Sequence, residues 1–392
     1  MDFPEFIAPM PVGEFMAGYF GQRPVHLHGG AGERDGLFSL SRLGGLMSAR
    51  RHWTEDNLKL ILNSRPIFAE HFLESAAGNA AARFADPAKV QLFVRMGASL
   101  VADHIEDVDP LVRGVTAMLS ERFAGTAGAN AYFSFKDVQA FNSHCDLHEV
   151  FAVQLEGKKV WRIYENRADS PVETIQGPNA QSIIDQAKGR VLMTVRMQPG
   201  DLLYIPRGYF HDALADEGRS LHLTFGVAPL DGRYVFDLLK QLATRNAKFR
   251  AYLPNGRADP DALRKHLAGL ADEVGALLRS PVFESTLAGR QGALARAPYA
   301  VNLADQEKLD HFARTDQPAE IAWRLDGAVL RHGAGEDPLG SIAEAMEWAL
   351  EQGAFSEQQL RARFHWLDGA EVDRLTELLT GARLFVRYEP QL

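Results

Sequence analysis

Cysteine is almost absent from this sequence, because Cys145 is the single cysteine among 392 residues. One cysteine excludes a disulfide within the chain and is typical of a reducing compartment, so we expect a cytoplasmic protein. Long hydrophobic runs are also missing, since no stretch of about 18 apolar residues occurs that could cross a membrane. The first residues, MDFPE, lack the basic start and apolar core of a signal peptide.

Positive charge is in deficit as well. The net charge of −9 at pH 7 argues against general nucleic-acid binding and suits a basic partner. Hydrophobic residues make up 46% of the chain and charged residues 24%, which is ordinary for a globular protein. A length of 392 residues exceeds the usual size of one core, so we expect two or three domains.

Two polar motifs flank a strand-like region in the middle of the chain. The first contains His144 and Asp146, which on a strand would point to the same face because they are two residues apart. The second ends at His211, after the turn sequence PGD and an apolar run at 202–205. Two imidazoles and one carboxylate suit Fe(II) and leave positions open for a chelating cosubstrate and O2. The three side chains are therefore candidates for an iron site at the mouth of a small β-barrel.

The region between the two motifs is predicted to contain a β-hairpin. Residues 150–155 are apolar and include β-branched side chains, residues 156–158 contain the turn former Gly157, and residues 159–164 form the returning strand. An insertion with loop signals follows at 166–189. We interpret it either as a lid or substrate-binding edge, or as a surface excursion.

Together these stretches resemble the JmjC ribosomal oxygenases. That family is a branch of the Fe(II)- and 2-oxoglutarate-dependent oxygenases built on a double-stranded β-helix, or cupin. The resemblance rests on residues 144–164, HCDLHEVFAVQLEGKKVWRIY, on residues 199–211, PGDLLYIPRGYFH, and on residues 15–27, FMAGYFGQRPVHL. It implies that the metal ligands are His144, Asp146 and His211.

The resemblance also implies which residues contact the 2-oxoglutarate cosubstrate. Lys159, fifteen residues after His144, matches the lysine that pairs with the distal carboxylate. By spacing alone, Lys159 is better interpreted as an exposed hairpin lysine. Asn130 and Tyr132 match polar contacts on a preceding strand, and Thr224 matches a contact on the last strand.

Residues close to these positions keep more than one interpretation. His148 either lines the pocket or belongs to a different kind of cupin metal site, and His222 either faces the cosubstrate or is a core histidine. Trp161 either forms a pocket wall or packs in the core. Cys145 is expected to point away from the metal. Gly226 stands where some members of the family place a hydroxyl residue, which leaves the shape of the substrate groove open.

The predicted fold class is α+β, with a double-stranded β-helix (cupin or JmjC) core, a helical collar, a helical dimerisation module and a C-terminal winged helix. Residues 1–230 would form the catalytic domain, with a helical collar over residues 1 to about 125 that contains helices after Ser39, over 90–105 and over 111–123. Residues 231–310 carry apolar stripes at helical spacing, and the resemblance implies dimerisation there. The alternative is a helical subdomain packed on its own barrel.

Residues 311–392 alternate strands and helices in an order that indicates a winged helix. Asp326 and Gly327 predict a hairpin turn, and helices are predicted over 341–352, 356–364 and 369–380, the first two with Ser341 and Ser356 as N-caps. This segment has 8 arginines, no lysine and 14 acidic residues, a net charge of −6. Because phosphate binding needs clustered cations, we expect a protein-contact domain instead of a DNA-binding one.

The function predicted from these patterns is an Fe(II)- and 2-oxoglutarate-dependent protein hydroxylase. By resemblance, the substrate is an arginine or histidine side chain of a basic ribosomal protein, and the chain forms a homodimer. One alternative is a hydroxylase that tailors a peptide natural product, and another is a JmjC lysine demethylase. A non-catalytic adaptor that binds through its winged helix is a third, against which the intact metal triad weighs.

Overall fold

The computed structural model describes residues 1–29, 34–48, 51–62, 65–76, 79–136, 142–295, 310–333 and 335–388. Contacts divide the chain into two compact units, Met1–Pro229 and Leu230–Leu392. Two stretches next to predicted features lie outside the described residues. One is 137–141, just before the first metal motif, and the other is 296–309, at the end of the predicted helical region.

The first unit mixes strands and helices. Its strands are β1 (Val25–Leu27), β2 (Leu58–Leu62), β3 (Arg65–Pro66), β4 (Leu73–Ala76), β5 (Asn79–Ala85), β6 (Ser99–Ala102), β7 (Gly125–Phe135), β8 (Glu149–Arg167), β9 (Val191–Met197), β10 (Leu202–Ile205) and β11 (Tyr209–Pro229). Its helices are α1 (Phe3–Phe6), α2 (Val12–Gly18), α3 (Leu40–Met47), α4 (Pro87–Arg95), α5 (Pro110–Phe123) and α6 (Ala180–Ala187), with short 3-10 helices at Ala69–His71 and Ile105–Asp107.

Nine of these strands form one sheet, in the order β1-β10-β8-β11-β7-β6-β2-β3, with β9 paired to β8. All its pairings are antiparallel, and the two longest strands, β8 and β11, lie side by side from Glu149↔Val227 to Arg167↔Tyr209. Buried aromatic residues of the N-terminal helices pack against the sheet, among them Phe6 against Phe225 and Phe15 against Tyr204. The sheet and this core hold the strands that carry the candidate site.

Helix α5 is set by its ends and by one apolar face. Asp109 precedes Pro110, and its carboxylate accepts hydrogen bonds from the amides of Leu111 and Val112, which stabilises the first turn. Buried side chains recur every three or four residues, so one face of the helix packs inward; they are Val112, Val115, Thr116, Leu119, Ser120 and Phe123. The helix predicted over 111–123 is confirmed, and it leads directly into β7.

The hairpin predicted around Gly157 is wrong, because β8 is one strand of 19 residues. Its first part pairs with β10 and its second part with β9, while β11 pairs with both. Gly157 has a φ of +67° and lies where the register with β11 shifts. A Cβ there would meet the Arg219 carbonyl oxygen at 2.0 Å. Glycine therefore lets a continuous strand bend at a bulge and does not reverse the chain.

The collar predicted for residues 1–125 is helical only in part. Helix α3 begins after Ser39, whose side chain accepts a hydrogen bond from the Arg42 amide, as predicted. The helix expected over 90–105 ends at Arg95, and the chain continues as β6, whose four residues are all buried. A short apolar run that is buried on both faces has no alternation, so periodicity cannot separate it from a helix.

The second unit begins with four helices, α7 (Tyr234–Ala243), α8 (Ala247–Arg250), α9 (Pro260–Leu278) and α10 (Pro281–Ala295). A small apolar cluster joins α7 and α10 through Leu238, Leu242, Val282 and Phe283. Helix α9 is different, because none of its 19 residues is fully buried. Within the described residues, no helix of the chain is long and apolar enough to cross a membrane.

The remainder of the second unit contains β12 (His311–Arg314), β13 (Ala319–Arg324), β14 (Gly327–His332), β15 (Gly335–Pro338), α11 (Ala343–Glu351), β16 (Ala354–Ser356), α12 (Glu357–Arg363), α13 (Gly369–Gly381) and β17 (Phe385–Tyr388). The strands form two three-stranded sheets, β16-β12-β17 and β13-β14-β15. The hairpin predicted at Asp326–Gly327 is confirmed by the pairing of β13 with β14. Ser356 caps α12 as predicted, whereas Ser341 caps no helix and donates to Glu371.

Candidate metal centre

His144, Asp146 and His211 come together although His144 and Asp146 do not lie on a regular strand. His144 forms a single β-bridge with His211 at the start of β11, with reciprocal N–H to carbonyl bonds of 3.0 and 2.8 Å. Asp146 follows in an irregular segment, and its carbonyl accepts a hydrogen bond from the Gly208 amide at 2.9 Å. The strand expected from the spacing is absent, and these backbone bonds hold the residues in place.

The three side chains have the spacing of a metal site. One ligand atom from each lies within 4.8 Å of the other two, and His211 Nε2 is 3.4 Å from Asp146 Oδ2. Nδ1 of His144 lies 2.8 Å from the Asn142 carbonyl, and Nδ1 of His211 lies 3.0 Å from the Tyr209 carbonyl. A carbonyl only accepts, so each Nδ1 carries the proton and each Nε2 has the lone pair that can bind a metal.

The protonation states also suit a cation. The pKa of His211 is lowered to about 4, mainly by burial and to a smaller extent by the nearby charge of His144. Burial alone would raise the pKa of Asp146, but attraction to His211, His144 and His148 outweighs it and lowers the pKa below its usual value. At neutral pH the site therefore offers a neutral imidazole and a charged carboxylate, which are the forms that bind metal ions.

A buried carboxylate beside the ligands connects the two chain segments that carry them. Asp212 follows His211, and it accepts hydrogen bonds from Ser143 Oγ at 2.7 Å, Tyr164 OH at 2.6 Å and Arg162 Nε at 2.8 Å. Burial would raise the pKa of Asp212, but these three donors lower it. Since Ser143 precedes His144, the network fixes the two imidazole-bearing segments relative to each other.

The ligands line a cavity of about 620 Å³. Strands β7 and β11 run along it in register, and alternate residues form successive rows: Ser134 paired with Ser220, of which only Ser134 lines the cavity, then Tyr132 opposite His222, Asn130 opposite Thr224, Gly128 opposite Gly226 and Thr126 opposite Ala228. The first row is buried and the last is exposed. The cavity therefore has a closed end at Ser134 and an open end at Thr126.

Lys159 lies inside this cavity and is 5% exposed. Its Nζ is 3.4 Å from His222 Nδ1, and burial lowers the pKa of Lys159 to about 7. Burial, followed by the charge of Lys159, lowers the pKa of His222 well below its usual value. Among the residues that the structure describes, no carboxylate forms an ion pair with Lys159. A buried cation without a counter-charge is costly, so this end of the cavity is suited to an anion.

The other predicted cosubstrate residues also face the cavity. Tyr132 stacks on His222 with ring centroids 4.7 Å apart, and burial raises the pKa of its phenol, so the hydroxyl stays protonated. Asn130 Oδ1 accepts a hydrogen bond from the His104 amide at 3.3 Å. Thr224 pairs directly with Asn130 across the two strands. The structure thus brings Asn130, Tyr132 and Thr224 to the cavity that contains the metal ligands and Lys159.

Two serines in the cavity wall were missed by sequence reasoning. Ser99 and Ser134 are 1% and 2% exposed, and neither hydroxyl has a hydrogen-bond partner among the described residues. The indole N–H of Trp161, in the same wall, is also unpaired there. Strand alternation after Asn130 and Tyr132 would have indicated Ser134. Ser99 was not recognised as a cavity residue because its segment had been predicted to be helical.

The structure defines the packing of three residues near the candidate ligands: His148, Trp161 and Cys145. His148 packs over Gly226, where a Cβ would meet its ring at 2.8 Å, so a larger residue at 226 would displace the imidazole. Trp161 lies against both His211 and His222, with ring centroids 5.9 and 5.4 Å apart. Cys145 packs among Tyr164, Ile184 and Phe210 and does not line the cavity.

The insertion at 166–189 reaches the segment that precedes the ligands. It contains helix α6, and Lys188 Nζ donates to Ser143 Oγ at 3.0 Å, while Gln181 Nε2 donates to the Ser143 carbonyl at 3.3 Å. The structure describes the whole insertion, and none of it lines the cavity. The insertion therefore contacts Ser143, next to the candidate ligand His144, and stays outside the cavity.

A second cluster of possible metal ligands, His26, His28 and Asp201, is already satisfied by protein groups. The Asp201 carboxylate accepts hydrogen bonds from the Gly29 amide at 2.7 Å, the Gln198 amide at 3.0 Å and His26 Nε2 at 2.9 Å. These bonds join β1 to the turn before β10, so the cluster is explained by its role in the fold.

Residues 101–233, which include all three candidate ligands and Lys159, match the family described as JmjC domain. The first unit has the mixed helical and sheet fold of JmjC and cupin proteins. The resemblance to ribosomal oxygenases that the motifs indicated is confirmed by the homologues of the chain.

Two curated relatives show how far the similarity extends. Ribosomal oxygenase 1 of Rattus norvegicus is 34% identical over 180 residues, which are 44% of this chain and 30% of that protein. Bifunctional lysine-specific demethylase and histidyl-hydroxylase NO66 of Culex quinquefasciatus is 30% identical over 264 residues, which are 62% of this chain and 39% of that protein. The chain thus matches less than half the length of these relatives.

Solved structures of Escherichia coli YcfD, a ribosomal oxygenase, share the fold across nearly the whole chain. One has a TM-score of 0.52 at 15% identity and covers 97% of this chain and 98% of its own. Another, in complex with cobalt and 2-oxoglutarate, has a TM-score of 0.51 at 15% identity, with 97% and 99% covered. At this identity the likeness establishes the fold alone.

Proposed function

We propose that this chain is an Fe(II)- and 2-oxoglutarate-dependent dioxygenase that hydroxylates a protein. One observation carries the proposal: a single cavity contains the triad His144, Asp146 and His211 together with the buried cation Lys159. 2-Oxoglutarate has a keto acid that chelates metals at one end and a carboxylate at the other. The two features of the cavity complement these two ends.

The donor set fits Fe(II). Two Nε2 atoms and one carboxylate are offered, and the carbonyls that accept from each Nδ1 hold the rings in orientation. When bound, Fe(II) supplies the activation of O2 that converts 2-oxoglutarate to succinate and CO2 and places one oxygen atom in a substrate C–H bond. The side chains around it bind, orient and shield the reactants.

In this proposal, Lys159 binds the distal carboxylate of 2-oxoglutarate as an ammonium group. Asn130, Tyr132 and Thr224 provide polar contacts along the cosubstrate, because they line the same cavity as Lys159 and the metal ligands. The protonated phenol of Tyr132 is a hydrogen-bond donor, which a carboxylate oxygen accepts. Trp161 forms the wall between the His211 ring and the His222 ring.

The substrate we propose is a side chain, arginine or histidine, of a basic ribosomal protein. This rests on the names of the relatives, Ribosomal oxygenase 1 and the histidyl-hydroxylase NO66, and on the ribosomal oxygenase YcfD. The net charge of −9 favours association with a basic protein. A ribosomal substrate also implies action in the cytoplasm.

For the second unit we propose a homodimerisation region at 231–310 and a winged helix at 311–392 that contacts protein. Supporting the first, α9 has no buried residue, and Leu267 and Leu278 on it are exposed. Supporting the second, strands β13 and β14 form a hairpin beside α11, α12 and α13. The net charge of −6 argues against DNA as its partner.

A comparison of ribosomal proteins from wild-type cells and from cells lacking the gene tests the proposed function. We expect the intact mass of one ribosomal protein to lose a single oxygen atom in the deletion strain, and purified enzyme with Fe(II) and 2-oxoglutarate to restore it. Unchanged masses in the deletion strain would refute the ribosomal substrate. A gain of methyl groups would instead indicate the demethylase alternative.

A further inference from the structure

Ser143 is the point at which the insertion meets the segment that carries His144. Its hydroxyl donates to Asp212 Oδ2 at 2.7 Å and accepts from Lys188 Nζ at 3.0 Å. The hydroxyl is thus used both as a donor and as an acceptor, and Ser143 is 6% exposed. A chain of hydrogen bonds therefore runs from Lys188 in the insertion, through the residue before His144, to the residue after His211.

His144 depends on such contacts because it lies on an isolated β-bridge and not within a strand. Two backbone hydrogen bonds join it to His211, and its Nδ1 lies 2.8 Å from the carbonyl of Asn142. The ring and the carbonyl that orients it therefore both belong to the segment 142–144. Ser143 is the middle residue of this segment, so a bond that fixes Ser143 also fixes the direction of the His144 imidazole.

The ammonium group of Lys188 is held on three sides. Besides the Ser143 hydroxyl, it contacts Asp185 Oδ1 at 2.7 Å and lies 4.6 Å from the centroid of the Tyr164 ring. Tyr164 OH donates in turn to Asp212 at 2.6 Å. Because these contacts leave the side chain of Lys188 only 19% exposed, its ammonium group has a fixed position beside the metal-ligand segment.

The insertion attaches Lys188 firmly to the sheet. Ile184, one turn earlier in α6, is 8% exposed and packs in a cluster with Tyr164. Asn166, near the end of β8, donates from its side chain to the Ala187 carbonyl at 2.7 Å and from its amide to the Lys188 carbonyl at 3.2 Å. These contacts hold the C-terminal end of α6 against β8, so the backbone of Lys188 is fixed as well as its ammonium group.

We propose that Lys188 is a positioning residue of the metal centre, which acts through Ser143 to hold His144 and thereby raises the affinity of the triad for a divalent metal ion. The inference rests on the proposed function, because that proposal assigns the triad to Fe(II). It goes further by giving the insertion a role other than that of a lid or a surface excursion. Although none of the insertion lines the cavity, it strengthens metal binding from outside.

A purely structural role for Lys188 leads to a different expectation. The side chain of Asp185 is 48% exposed, and an exposed ion pair contributes little to stability, so its loss would leave the metal affinity unchanged. Loss of a residue that orients a metal ligand weakens metal binding by roughly 10- to 100-fold. The metal affinity of a folded variant therefore separates the two roles.

Titration of the metal-free full-length protein with Co(II) tests the proposal, because the visible absorption of Co(II) reports both its binding and its coordination geometry. Lys188→Met keeps the aliphatic stem and removes the ammonium group. We expect it to bind Co(II) about tenfold or more weakly than the wild-type protein, with a changed absorption spectrum. Lys188→Arg keeps a donor for the Ser143 hydroxyl and should recover most of the lost affinity. Circular dichroism confirms that each variant is folded.

Further variants trace the effect to Ser143. Arg190→Met is the matched control, since it removes a cation that is 89% exposed and pairs with Glu165; its Co(II) affinity should equal that of the wild-type protein. Ser143→Ala removes the hydroxyl and should also weaken Co(II) binding, which keeps the test valid if Lys188→Met folds poorly. The double variant should bind about as weakly as Ser143→Ala alone, because the two groups act as one chain.

The outcomes separate this inference from the proposed function. An unchanged Co(II) affinity in Lys188→Met overturns the positioning role even if the wild-type enzyme converts 2-oxoglutarate to succinate. An equal loss of affinity in Arg190→Met, or additive losses in the double variant, also overturns it. Weaker Co(II) binding in Lys188→Met, together with no succinate formation by the wild-type protein, would support the positioning role and refute the hydroxylase.

Discussion

Replacement of Lys159 by methionine separates the cosubstrate role of this residue from a structural one. Methionine keeps the length and apolar character of the stem and removes the charge. A charge-assisted contact with a carboxylate contributes roughly 1.5–3 kcal/mol, or about 10- to 150-fold in affinity. We expect the KM for 2-oxoglutarate to rise by that factor, while the affinity for Fe(II) changes little because Lys159 is not a ligand.

The pH dependence of the wild-type KM gives a second signature of Lys159. Burial lowers its pKa to about 7, whereas a bound carboxylate favours the ammonium form. Above pH 7, 2-oxoglutarate must bind together with a proton, so the KM should rise by up to about tenfold per pH unit. Below pH 7 the amine of Lys159 is already charged, so this group causes no further change of KM with pH. In Lys159→Met, the KM for 2-oxoglutarate should no longer rise with pH.

The stability of the protein without cosubstrate should increase with pH above 7, whereas the affinity for 2-oxoglutarate should decrease. The pKa of Lys159 falls from 10.5 to about 7 on folding, so the unfolded chain binds the extra proton between these values. Stability therefore rises as the pH rises from about 7 to 10.5, and the full penalty of burying the charge is present below pH 7. At neutral pH, Lys159→Met should melt at a higher temperature than the wild-type protein.

Succinate production at varied 2-oxoglutarate concentration, at pH values on both sides of 7, measures the kinetic effects, and calorimetry measures stability. Lys158→Met is the matched control, since it removes the same charge from the neighbouring residue outside the cavity wall. An unchanged KM in Lys159→Met would refute the carboxylate contact. A KM that is independent of pH in the wild-type protein would refute the titration of this lysine.

Four further predictions follow from the metal centre. Alanine at any one of the three ligand positions should abolish succinate production with little loss of folded protein, as measured by circular dichroism; wild-type turnover would remove that residue from the site. Ser134→Ala should raise the KM for 2-oxoglutarate about fivefold, the loss of one hydrogen bond of about 1 kcal/mol, and no change would leave its hydroxyl without a role. Asp212→Asn should lower the Tm by several degrees, since it weakens three hydrogen bonds worth about 1–3 kcal/mol together, and calorimetry would detect this. Gly226→Ser should displace His148 and reduce hydroxylation more than uncoupled 2-oxoglutarate turnover; equal losses would contradict a role at the substrate entrance.

The sequence points to the three residues of the candidate metal centre because their side-chain chemistry is restrictive, although the strand geometry that was expected for them is not found. His144 and Asp146 were expected on one face of a strand, whereas a β-bridge and a loop bring them together. Lys159 was identified by resemblance and not by spacing. Its burial depends on the register of β8 with β11, which the sequence does not encode locally.

The wrong parts of the fold prediction share one cause, the weakness of local signals against tertiary pairing. Gly157 is a turn former, but here three partner strands hold β8 extended through it. The run at 99–102 is buried at all four positions, so both faces of β6 are covered and the sequence shows no alternation of apolar and polar residues. Ser99 escaped notice for the same reason, although its unpaired hydroxyl is one of the clearest features of the cavity.

The most direct test of the proposed hydroxylase is transfer of oxygen from the gas phase. Ribosomal proteins from cells that lack the gene are incubated with the enzyme, Fe(II) and 2-oxoglutarate under ¹⁸O₂. We expect one labelled oxygen atom in one ribosomal protein and one succinate for each modified molecule. Succinate formed without any label in protein, or no succinate at all, would contradict it.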